Sequence, residues 1–110
     1  MLTIDTLTAV YDALKAATAE AFTTGEAAGI ARDAFEMSKT ALLLAGKLDG
    51  KNEAAREAQA REALAPLFTT MQAADQAARV KKHVQEMARL DVELKRAQLR
   101  LLELAEAQAA

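Results

Sequence analysis

A single histidine, His83, and a single serine, Ser38, are the first places to look for chemistry in this chain of 110 residues. An imidazole with carboxylates one helical turn away can hold a metal ion, and one beside a serine hydroxyl can activate a nucleophile. Neither pattern is present. Only Glu86 stands one turn from His83, no Glu-x-x-His or His-x-x-x-His pair occurs, and no histidine lies near Ser38 in sequence. The absence of cysteine removes thiolate chemistry, disulfides and cysteine-based zinc sites. Gly46 and Gly50 flank a turn without the phosphate-loop pattern. Glu53 and Glu57, one turn apart on a charged helix, read as solvated carboxylates. The chain is therefore expected to be no enzyme, with no catalytic residue, metal ligand or cofactor.

Charge offers a second kind of chemistry. Lys81, Lys82, Arg89, Lys95 and Arg96 fall on one face of a helix, flanked by Arg79 and Arg100. A basic stripe of this kind can follow phosphates, so nucleic-acid contact is the alternative function. Against it, no aromatic residue interleaves the stripe for base stacking, and Arg89–Glu93 and Asp91–Lys95 are spaced for pairs within the helix. The whole-chain charge is −2, which favours no polyanionic partner.

The third pattern is a turn. Gly50-Lys51-Asn52 is followed by Arg56 and Gln59. Gly50 can supply the turn, Asn52 can accept a backbone N–H and cap the next helix, and Arg56 can reach back one turn. Asn52, Arg56 and Gln59 are also the candidate contacts for a protein partner. These residues resemble a Gly-Lys-Asn-x-x-x-Arg-x-Ala-Gln pattern of small, uncharacterised helical proteins of bacteriophages and prophages. The resemblance covers about half the chain. It implies a phage or prophage origin and a role beside replication, recombination or assembly genes, and it implies no activity.

The elements that must carry these groups are helical. Ala (28) and Leu (15) dominate, while Val and Ile together number six, and there is one Pro and four Gly. That excludes most sheet folds. The spacing of apolar residues predicts an all-α fold: a helical hairpin or bundle of three shorter helices, over 4–22, 26–48 and 53–64, plus one long coiled-coil-like helix over 66–108. Thr23 with Glu26 fits a capping box after a break at Thr23-Thr24-Gly25. Ile30, Ala34, Met37, Ala41, Leu44 and Leu48 form the stripe of the second helix. Pro66 is expected to start the last one.

In that last helix Val80, His83, Met87, Leu90, Leu94, Ala97, Leu101 and Leu104 recur at alternating steps of three and four. Val80, Met87, Leu90, Leu94, Leu101 and Leu104 are the expected oligomer interface, with Val92, Leu99 and Leu102 covered by the shorter helices. A helix of roughly 60 Å is longer than one small globule can cover, so the chain is expected to form a homo-oligomer. A dimer is the simplest form. It is expected to be antiparallel, because a parallel pair would set Glu86 against Asp91. The resulting expectation is a single helical domain over 1–110, a non-catalytic structural or interaction protein. No segment approaches a membrane span and no basic leader is seen, which reads as cytoplasmic.

Overall fold

A computed structural model describes residues 3–109 and contains three helices among them: α1 (Ile4–Leu44), α2 (Glu53–Ala63) and α3 (Ala65–Ala109). The all-α class stands as expected, but there are three helices rather than four. The chain divides into two compact units. One joins the N-terminal segment through Phe22 to the chain from Arg79 onward; the other is Thr23–Ala78.

The break expected at Thr23-Thr24-Gly25 does not occur, because α1 runs through it. Thr3 caps the start, its Oγ1 accepting from Thr6 N at 3.1 Å. Along α1 a stripe of buried and half-buried residues runs through Leu7, Val10, Leu14, Ala17, Ala21, Thr24, Ala28, Ala31, Phe35, Ser38 and Leu42, with Thr6, Gly29, Ala34 and Lys39 half-buried beside it. The stripe keeps steps of three and four without a change of phase. Packing of that continuous stripe offsets the roughly 1 kcal/mol that a mid-helix glycine costs. The helix then ends at Leu44 rather than near residue 48. Gly46 adopts a φ of +72°, its N–H reaches Leu43 O at 3.1 Å, and the Lys47 N–H reaches Leu42 O at 3.0 Å. That is a Schellman ending, and it needs a residue without Cβ.

In the first unit α1 and α3 run antiparallel. Lys81 Nζ lies 2.9 Å from Glu20 Oε2, and Gln85 Nε2 donates to Thr18 Oγ1 at 3.3 Å. The inward residues of α3 here are Lys81, Gln85, Ala88, Val92, Lys95 and Leu99. Among the described residues of this unit only Val10, Ala17 and Val92 are buried. Half-buried Leu7, Leu14, Ala88 and Leu99 share the rest of the seam with the stems of Lys81, Gln85 and Lys95, whose heads reach its rim.

The second unit carries the denser core. Phe35, Leu48 and Ala60 are buried together, with Leu42, Leu64, Leu67, Phe68 and Met71 packed around them. Leu48 belongs to this core, past the end of α1. The rings of Phe35 and Phe68 tilt at 50° with centroids 5.5 Å apart, and the Arg61 guanidinium lies 5.0 Å from the Phe68 centroid. Arg32 and Asp75 pair at 2.7 Å. A turn at Leu64 separates α2 from α3, which starts at Ala65, so Pro66 is its second residue rather than its first, still within the first turn.

Candidate functional site

The turn motif lies wholly in the second unit and closes on itself. Asn52 has extended backbone and accepts from Ala55 N at 2.8 Å through Oδ1. Arg56 Nη1 donates to Gly50 O at 3.1 Å. Gln59 bridges the turn: its Oε1 accepts from Gly50 N at 2.9 Å, and its Nε2 donates to Asp49 Oδ1 at 2.6 Å. A Cβ on Gly50 would stand 2.8 Å from Ala55 C, Ala55 Cβ and Arg56 N. Asn52, Arg56 and Gln59 thus each have a local partner. Next to it Lys39 is clamped by Glu36 at 2.9 Å and Glu57 at 3.0 Å. Hydrogen bonds from those two carboxylates, Glu36 first, hold the Lys39 ammonium above its usual pKa.

The basic residues of α3 do not share one free face. Lys81 and Lys95 sit on the half-buried seam, Lys81 against Glu20 and Lys95 at 3.7 Å from Asp91. Arg89 is held between Glu86 and Glu93, and the first of these contacts raises its pKa most. Lys82 and Arg96 are the exposed members that form no ion pair among the described residues.

The apolar stripe of α3 lies on another side. Val80, Met87, Leu94 and Leu101 each precede a seam residue or its heptad equivalent by one position, a turn of about 100° round the helix. Leu90 and Leu104 lie farther still from α1. Met87 is 47% exposed, Leu94 51%, Leu101 67% and Leu104 53%. Val80 and Leu90 are similarly exposed, and His83 and Ala97 complete the stripe on the surface. His83 is therefore not packed within this chain. Val92 and Leu99, by contrast, face α1 as expected, while Leu102 is exposed. A shallow open concavity of about 660 Å³ skirts the stripe, with Glu93, Ala97, Arg100 and Leu104 among its walls.

The second unit leaves its own apolar side chains in solvent. Ile30, Met37 and Leu44 recur every seven residues on α1 and are all strongly exposed. Sequence reasoning placed them on the covered stripe of a separate helix. Each also precedes an inward residue, or its heptad equivalent, by one position. Phe35 and Leu42, which the sequence sets beside that stripe, face inward together with the less conspicuous Ala31 and Ser38. Small residues on the inward face were the missed signal, because they let two helices approach closely.

Among the described residues no group of three His, Asp or Glu side chains is placed to hold a metal ion. No helix of the described residues is long and apolar enough to cross a membrane. Comparison with family models, curated proteins and solved structures gave no match for this chain.

Proposed function

We propose that this protein is a non-catalytic structural or interaction protein that works by assembly, using the outward stripe of α3. One observation carries the reading: the first unit has more large apolar side chains outside than inside. Among its described residues only Val10, Ala17 and Val92 are buried, whereas Met87, Leu90, Leu94, Leu101 and Leu104 stand on its surface. Contiguous apolar surface of this kind marks a contact site more often than ordinary exterior. The partner favoured here is another copy of the chain. The tight network at Asn52, Arg56 and Gln59 supports a structural role for that turn over a contact role.

The alternative, a nucleic-acid accessory role for Lys81, Lys82, Arg89, Lys95 and Arg96, has less support. Three of those five charges are engaged by carboxylates. Binding through the rest would be weak and would fall steeply with salt.

Sedimentation equilibrium on the chain and on Leu94→Asp tests the reading. The expected result is a mass above 11.8 kDa that falls to the monomer value in the variant, with helicity retained. A wild-type mass that stays at 11.8 kDa on concentration, together with salt-sensitive nucleic-acid binding, would overturn it in favour of the alternative.

A further inference from the structure

Granting that the α3 stripe is an assembly surface, its register with a partner can be read from the side chains. We infer that the stripe is closed by the same stripe of a second copy, running antiparallel, with the two-fold axis between Leu94 and Ala97. In this register Leu94 packs against the second copy's Ala97, Leu90 against its Leu101, and Met87 against its Leu104. The two-fold then repeats each contact. The contact spans Met87 to Leu104, ~26 Å of helix. Ala97 is the one small residue in that span of the stripe, and it falls where the axes come closest, opposite a leucine that fills the space.

Charge selects this register. Glu93 and Arg100 lie on the same edge of the stripe, one heptad apart. Antiparallel helices bring like edges together, so each Glu93 meets the second copy's Arg100, and the pair forms twice. Arg100 makes no ion pair among the described residues, and the Arg89 contact to Glu93 uses Oε1. The concavity walled by Glu93, Ala97, Arg100 and Leu104 leaves that edge open to an incoming helix. On the other edge Asp91 comes beside the second copy's Gln98, without like charges. A parallel pair would instead set Glu86 beside Asp91 and give Arg100 only Ala105.

The chain has no cysteine, which allows a direct test by disulfide trapping. Leu90→Cys and Leu101→Cys are made as separate chains, oxidised alone and then as an equal mixture, with helicity checked by circular dichroism. The inferred register yields a cross-linked dimer in the mixture and none from either chain alone, where the two sulfurs would be ~16 Å apart along the axis. A second arm uses charge. Glu93→Arg and Arg100→Glu should each weaken dimerisation about tenfold or more, and mixing the two chains should restore it, because both 93–100 pairs regain opposite charges. Cross-links from either single chain would mean parallel helices and overturn the inference while leaving assembly intact. An assembled mass with no cross-link in the mixture, or no recovery on mixing the charge variants, would do the same. A mass that stays monomeric would remove both the inference and the assembly reading on which it rests.

Discussion

Two glycines of the second unit should respond to the same substitution with opposite signs. A methyl group at Gly50 would sit 2.8 Å from the Ala55 carbonyl carbon, the Ala55 Cβ and the Arg56 nitrogen. Two of those atoms are backbone of the first turn of α2, held by the Asn52 cap. To reach ordinary contact at 3.4 Å the turn must withdraw by about 0.6 Å. That movement stretches the Gly50 N–H bond to Gln59, now 2.9 Å, and the Arg56 bond to Gly50 O, now 3.1 Å. Two partly buried hydrogen bonds are worth about 0.5–1.5 kcal/mol each, and the crowding itself costs about 1–3 kcal/mol. Gly50→Ala should therefore destabilise by roughly 2–4 kcal/mol. Gly25 lies inside α1, and a Cβ there meets nothing within 4 Å. Gly25→Ala should stabilise by about 0.5–1 kcal/mol through helix propensity alone. Urea unfolding followed by far-UV circular dichroism measures both. One protein concentration is used throughout, because assembly would add concentration-dependent stability. An unchanged or raised stability in Gly50→Ala would refute the packing described for the Gly50 turn, and a loss in Gly25→Ala would refute the open surroundings of Gly25.

Other perturbations separate the core, the cap, the clamp and the outer stripe. Phe35→Ala should cost about 3–5 kcal/mol in the same unfolding assay, since its ring is the one large side chain fully buried among the described residues. Asn52→Ala should cost about 1 kcal/mol through the lost cap, and an unchanged midpoint would show that the cap is idle. The Lys39 pKa is raised in the folded state, so its contribution is complete below the ordinary value of 10.5 and is lost as pH rises through the folded value. Lys39→Met should accordingly flatten the alkaline fall in melting temperature that the parent shows above that pH. Leu94→Ala should change the stability of dilute protein by about 1 kcal/mol or less, and should remove any rise of melting temperature with concentration.

Helical class, the Asn52 cap and the placing of Pro66 in a first turn were legible because each depends on a few neighbouring residues. Asn52 needs only an extended backbone and an N–H three residues on, and Pro66 forbids a donor wherever it stands. The continuity of α1 was not legible. Thr23-Thr24-Gly25 looks like punctuation, and what overrides it is the covering of the helix face that carries Ala21, Thr24 and Ala28. The choice of seam was equally hidden. Val80, Met87, Leu94 and Leu101 make the stronger heptad pattern, yet α1 takes the face of Lys81, Gln85, Ala88, Val92 and Lys95. Hydrophobic period reports that a face wants covering and is silent on which partner covers it. The charges were legible one at a time but not as pairs: Lys81 with Glu20 and Lys39 with Glu57 join different helices.

The two faces of α3 in the first unit answer different requirements. An inner seam built mostly from alanine, valine and the stems of lysine and glutamine, with Leu7, Leu14 and Leu99 half-buried, holds two helices side by side with modest gain from burial. It also leaves long side chains at the rim, where Lys81 finds Glu20. Met87, Leu90, Leu94, Leu101 and Leu104, of types worth about 1.5–3 kcal/mol each when fully buried, stand on the outer face. Their exposures near one half leave about 1 kcal/mol to be gained at each of Met87, Leu90, Leu94, Leu101 and Leu104. Doubled over two copies, the gross gain is about 10 kcal/mol, set against an association cost of about 4–15 kcal/mol. Burial alone therefore brings a symmetric pair only to the threshold of stability. That gives the paired Glu93 and Arg100 charges their leverage over register: where the apolar gain nearly balances the cost of association, an attraction or a repulsion of one or two kcal/mol decides whether the pair forms.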